Sequence, residues 1–161
     1  MEPMLIPFRR ANVFFWNVSG AVGERGDNRP EDVALIQFFY RLLPENRAIL
    51  LNQPSTPRFI EICQNVAGEM SGHCSGQPAD PLVNLIRNHQ KELNWPVVDG
   101  RVSRATPTGQ FELHGPRVRS TFMILQMMTL WRFTQFDCWP RLDYHPACPP
   151  LVKAAVLRAF G

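Results

Sequence analysis

Cys74 is the side chain in this sequence most open to a chemical reading. It sits in the loop Ser71-Gly72-His73-Cys74-Ser75-Gly76, and a glycine-bearing loop can aim backbone N–H groups that stabilise a thiolate. With His145 or His114 as base and Asp143 as orienting carboxylate, it completes the residue types of a Cys-dependent hydrolase. Yet four His and fourteen acids among 161 residues supply such a triple by chance, so residue type alone assigns no catalytic residue. His73, Cys74, His89 and His114 lack the ligand spacing of a zinc site. No metal or other cofactor is expected.

The four cysteines, Cys63, Cys74, Cys138 and Cys148, form no C-x-x-C motif. Pairing of Cys63 with Cys74 and of Cys138 with Cys148 is open in an oxidising compartment. As reduced, partly buried residues they need no function at all. The net charge of +3 is mild, and no Lys/Arg run is interleaved with aromatics, so nucleic acid is not expected as a partner. Lys91 and Lys153 are the two lysines, and the remaining positive charge is arginine. Arginine suits bidentate contact to carboxylate or phosphate, although GC-rich coding produces the same preference.

These residues must be held by one compact domain, which the length suits. A 45% hydrophobic content with 11 Phe and 4 Trp can fill its core. The 15 prolines exclude long uninterrupted helices. No signal peptide is expected, because Arg9-Arg10 interrupts the early apolar residues and no cleavage pattern follows. Thr121 to Trp131 is apolar but too short to span a bilayer. The protein is therefore expected to be cytoplasmic at synthesis, with a specialised export route if it acts outside.

Asn12 to Val18 has the aromatic and β-branched content of a strand or a packed extended arm. Asn28, followed by Pro30 and Glu31, resembles an N-cap with a capping-box partner. It predicts a helix over about 29–43 with Val33, Ile36, Tyr40 and Leu43 along one stripe and Leu35, Phe39 and Leu42 widening it. Phe59 to Val66 suits a short helix. Asp80-Pro81 starts another helix by the N-cap and N1 rule, and Trp95-Pro96 breaks it. Asp99-Gly100 and Thr106-Pro107-Thr108-Gly109 signal turns. Phe122 to Phe136 reads as a buried helix, with a buried strand pair as the alternative, and a final helix is expected at about Pro150 to Phe160.

The order of motifs resembles the peptidoglycan-binding-like domain, a small helical module. The matching pieces begin with Asn28-Arg29-Pro30-Glu31-Asp32-Val33 and Ile36-Gln37. Next come the Ser71–Gly76 loop and Leu85-Ile86-Arg87-Asn88-His89-Gln90, then Asp99-Gly100-Arg101-Val102 and, more loosely, Thr121 with Leu125. The resemblance covers about 22–130. It implies a mainly α fold, a small helical bundle with an extended N-terminal arm (1–21), a helical domain (22–136) and a C-terminal helical extension (137–161). Gln37 and Gln90 occupy equivalent places in their helices and are expected to hydrogen-bond loop backbone.

The function implied is non-catalytic recognition of bacterial cell-wall peptidoglycan. Arg87, Trp95, Asp99 and Arg101 are the candidate ligand-binding residues around the second helix and its turn. The bland alternative is that Trp95 plugs the helix end and the arginines are solvated. A different class of function is a protein–protein adaptor, cargo or accessory protein of a bacterial, type VI-like secretion system, with Phe14, Phe15 and Trp16 as the partner-binding residues. The Cys74 hydrolase is the third reading.

Overall fold

The structure is a computed structural model that describes residues 1–8, 11–46, 60–63, 70–106, 111–114, 117–120, 122–134 and 138–161. The chain opens on an antiparallel hairpin, β1 (Glu2–Phe8) and β2 (Ala11–Asn17), in which Leu5 faces Phe14 and Pro3 faces Trp16. One face of the hairpin carries Ile6 and Phe15 into the core, and Trp16 on the other face is equally buried. Asn17 ends β2 with a side chain that behaves as a strand residue. It donates to the Ala105 carbonyl at 2.9 Å and accepts the Ala105 N–H at 3.0 Å.

Two-residue strands β3 (Val22–Gly23) and β4 (Arg101–Val102) pair antiparallel. They tie the turn before helix α1 (Pro30–Leu42) to the turn after helix α2 (Pro81–Glu92). A third hairpin, β5 (Phe111–His114) with β6 (Arg117–Ser120), precedes α3 (Met123–Thr134). Helix α4 (Pro150–Phe160) closes the chain against α1. Residues 60–63 are helical; the rest of the helix expected at Phe59 to Val66 lies outside the described residues.

The expectation of a mainly α-helical bundle is overturned. Among the described residues three two-stranded antiparallel sheets accompany the helices, and the fold is mixed α/β. The N-terminal arm (1–21) contains a whole hairpin: its Asn12 to Val18 stretch pairs with a strand that carries Pro3 and Pro7, residues that argue against a strand except at an edge, where a missing N–H costs nothing. No helix among the described residues is long and apolar enough to cross a membrane.

Helix α1 is the centre of the core. Val33, Ala34, Leu35, Ile36, Phe38, Phe39, Tyr40 and Leu42 are all buried, so apolar residues on nearly every side of one short helix are satisfied by elements packed all round it. Its start differs from the capping box expected. The N-cap position is Arg29, with no side-chain cap bond. Asn28 instead takes a left-handed conformation (φ 48°), which Asn tolerates better than most residues. Its amide accepts the Gly23 N–H at 2.8 Å and donates to the Gly23 carbonyl at 3.0 Å. Glu31 pairs with Arg158 of α4.

The acid that organises this end is Asp32, fully buried. It accepts the Ser19 and Gly20 N–H groups at 2.9 and 3.0 Å, and its Oδ1 lies 2.6 Å from the Met1 ammonium.

Helix α2 begins as its sequence suggests, with Asp80 accepting the Leu82 N–H at 2.8 Å and Pro81 at the first helical position. It ends in a Schellman motif: Trp95 N–H bonds the Gln90 carbonyl, Asn94 N–H bonds the Lys91 carbonyl, and Asn94 has φ 49°. This reversal delivers the chain to the Asp99-Gly100 turn, where Gly100 has φ +71°. A Cβ there would meet Val83 Cγ1 at 2.9 Å and Arg87 Cγ at 3.0 Å. Gly100→Ala is therefore expected to lose about 2 kcal/mol or more, combining left-handed strain with overpacking, seen as a melting temperature lower by roughly 4–8 °C. An unchanged melting temperature would mean that the turn adopts another conformation.

Candidate ligand-binding site

Two turns, one held by a glutamine of α1 and the other by a glutamine of α2, are built by the same three interactions. After α1, Gln37 accepts the Gly72 N–H at 2.9 Å and donates to the His73 carbonyl at 3.2 Å. Ser71 Oγ accepts the His73 N–H at 3.2 Å. After α2, Gln90 accepts the Gly100 N–H at 2.8 Å and donates to the Arg101 carbonyl at 3.1 Å. Asp99 Oδ1 accepts the Arg101 N–H at 3.0 Å. Gly72 and Gly100 have the same backbone conformation, φ +72° and +71°. Each glutamine thus bonds a left-handed glycine and the residue after it, while the side chain before that glycine closes the turn.

The second turn carries the four residues singled out for ligand binding. Gln90 also donates to Asp99 Oδ1 at 2.8 Å, so Asp99 is an exposed carboxylate with one oxygen committed to the turn. Trp95 is half-buried against the core at the end of α2. Arg87 is a cross-link: it pairs with Glu24 and donates to the Pro78 carbonyl at 3.2 Å. Arg101 differs from all of these. Its neighbour Val102 points into the core, so strand alternation turns Arg101 away from it. Its backbone is held on both sides, and its Nε is shielded from solvent without a hydrogen-bond partner.

The structure brings Arg87, Asp99 and Arg101 together around Gly100. Glu24, the partner of Arg87, is the residue that sequence reasoning missed, because the pairing crosses from the β3 turn to α2. Val97 and Val98, 60% and 42% exposed, were missed as well. Two adjacent β-branched residues before a D-G turn were the available signal. No protein-family model, curated protein or solved structure matches the chain.

The chemically suggestive residues are placed elsewhere and are engaged. Burial pushes the Cys74 thiol up, with the Asp80 carboxylate adding to the effect. Both outweigh the backbone hydrogen bonds that lower it, so the glycine-bearing loop does not produce a ready thiolate. Burial pushes Cys63 and Cys148 up to about 12, and none of the four cysteines is joined in a disulfide. Asp143 is gripped by Arg141 through two hydrogen bonds of 2.8 and 2.6 Å, which hold it below the usual carboxylate range. His145 Nδ1 accepts the Ala147 N–H at 3.1 Å. His114 lies in β5, and Thr121 lies outside the described residues. Among the described residues no group of three or more His, Cys, Asp or Glu is arranged to hold a metal.

His89 is a core residue. It is 4% exposed, stacks on Phe39 and meets the Tyr40 hydroxyl at 3.0 Å through Nδ1. Burial pushes its imidazole down to about 3, against about 6.5 in the unfolded chain. Between those values the unfolded chain binds a proton that the fold refuses, so stability is full above pH 6.5 and falls as pH drops. The slope is ~1.4 kcal/mol per pH unit, giving a loss of ~2 kcal/mol between pH 7 and 5. In urea unfolding, His89→Gln should flatten this dependence; identical slopes for the two proteins would remove His89 as its source.

The aromatic residues of the N-terminal segment divide. Phe15 and Trp16 are fully buried, and Trp16 Nε1 donates to the Pro140 carbonyl at 2.9 Å. Phe14 is half-buried and stacks on Phe160 of α4 with ring centroids 5.6 Å apart. Beyond Phe160 comes the Arg141 guanidinium, 5.5 Å from its ring centroid and 4.5 Å from that of Tyr144. This stack joins the first hairpin to the C-terminal segment and leaves Tyr144 66% exposed.

Proposed function

We propose that this protein is a non-catalytic recognition module for bacterial cell-wall peptidoglycan, and that the turn after α2 is its ligand-binding face. The observation that carries the reading is the duplicated glutamine–glycine turn. The motifs that resemble the peptidoglycan-binding-like domain are the ones that make it, residue for residue: Gln37 with Gly72 and Gln90 with Gly100. A rigid turn on a packed scaffold suits binding, since it orders few groups when ligand arrives. Burial pushes the Cys63, Cys74 and Cys148 thiols up and the His89 imidazole down, which gives Cys74 chemistry no support.

The test is co-sedimentation with purified sacculi. The protein is expected to leave the supernatant in proportion to added wall, and Arg101→Gln to weaken this several-fold. A protein that stays wholly in the supernatant at every wall concentration contradicts the reading.

The exposed side chains of Leu5, Tyr144, Leu157 and Phe160 favour a second reading: an adaptor or accessory protein of a type VI-like secretion system that docks through the hairpin and α4. Exposed apolar groups around aromatic and arginine anchors resemble the centre of a protein interface. In that case Tyr144→Ala, rather than Arg101→Gln, weakens capture by the purified partner, and a monodisperse protein that binds none of the apparatus subunits would count against it.

A further inference from the structure

We infer that Arg101 receives a free carboxylate flanked by a small apolar side chain, the chemistry of a peptide C-terminus. The inference rests on the wall-recognition reading and names the part of the wall that is read: the stem peptide rather than the glycan.

Three observations converge on this position. First, the Arg101 Nε is a shielded donor without a partner, a desolvation cost that is relieved when the guanidinium shifts to meet an acceptor. Second, neither nearby acid pairs with the Arg101 guanidinium. Glu24 pairs with Arg87, while Asp99 Oδ1 accepts from Gln90 and from the Arg101 backbone N–H. The guanidinium is thus left without a counter-ion among the described residues. Third, Arg101 stands on backbone that cannot follow it outward. Its carbonyl accepts from the buried Gln90 amide and its strand pairs with Gly23. A planar fork on a fixed base is the arrangement that rewards a planar, two-oxygen acceptor.

Val97 and Val98 decide between anions. They are exposed in the same loop, just before the turn, where a strongly hydrated phosphate gains nothing from them. An alanine methyl beside a carboxylate covers apolar surface while its oxygens meet the guanidinium.

The experiment is a titration of the ¹⁵N-labelled full chain with Nα-acetyl-D-alanyl-D-alanine, with its C-terminal amide and with inorganic phosphate, at one ionic strength. The expected result is saturable shifts of the Val97, Val98, Gly100 and Arg101 amides with the acid. Affinity for the amide should be at least tenfold weaker. Arg101→Gln should lose the same factor, and Arg104→Gln, whose partner is Glu2, should lose none. Equal affinity for acid and amide, tighter binding of phosphate, or no shifts with any probe at millimolar concentration overturns the inference. The acid–amide comparison on the unaltered protein stands even if Arg101→Gln folds poorly. Sacculus binding without peptide binding would remove the carboxylate assignment alone, whereas loss of both would remove the wall reading too.

Discussion

Asp32→Ala is expected to lower the free energy of unfolding by about 3–5 kcal/mol, the cost of breaking a buried ion pair by removing one partner. The carboxylate is fully buried and satisfies two backbone N–H groups, of Ser19 and Gly20, besides the Met1 ammonium. Alanine leaves the Ser19 and Gly20 N–H groups without this acceptor and the ammonium with only the Glu31 carboxylate, 3.5 Å away, and each unsatisfied group carries its own desolvation penalty. A domain of this size has only about 5–15 kcal/mol in total, so the variant should be the most damaged of the polar substitutions. Asp32→Asn, which keeps one acceptor oxygen, should lie between the two. The check is the urea midpoint at pH 7, and a loss below 1 kcal/mol for Asp32→Ala would mean that water reaches this site.

Gln90→Ala is the second large effect, about 2–5 kcal/mol from three lost hydrogen bonds, one of them buried and two part-buried. Gln90 is 1% exposed, and its bond from the Gly100 N–H is buried, so that donor has little access to water as a replacement acceptor. Gln37 makes the matching bonds to Gly72 and His73 in a wetter place, being only half-buried, so Gln37→Ala should cost about 1 kcal/mol. The difference between the two deletions then combines deeper burial with the extra Gln90 bond to Asp99. Equal losses would show that the two turns are alike in environment as well as in geometry. Gln90→Ala should also loosen the base of Arg101, so any ligand affinity should fall further than the stability loss alone predicts.

The helices were legible because their signals are local. Pro81 after Asp80 and the apolar stripe of α1 each need only a few adjacent residues, and both match the structure. The long apolar run after Phe122, ambiguous by periodicity, is helical over Met123–Thr134. The two glutamines were legible by their equivalent positions. Pairings between distant segments were not. The strand Glu2–Phe8 is disguised by two prolines, and its partner β2 looked like an arm because nothing in its own residues names the strand opposite it. The β5–β6 hairpin alternates charged with apolar residues over only four positions per strand, too short for a period-2 pattern to stand out. Asn28 illustrates a subtler failure. A residue suited to capping is equally suited to a left-handed turn, and here the need to close on Gly23 wins. For the site, Arg101 was picked by its place beside the D-G turn, but the contrast with Arg87 required coordinates. Glu24 neutralises Arg87, while the Arg101 guanidinium has no ion-pair partner among the described residues.

The central claim is that the turn after α2 is the face that meets ligand. It is tested most directly by mapping amide shifts of the ¹⁵N-labelled protein as solubilised wall fragments are added. Shifts are predicted at Glu24 and from Trp95 to Val102, with Leu5, Tyr144 and Phe160 unmoved. Shifts confined to those three residues and their neighbours, or none at all, would contradict it.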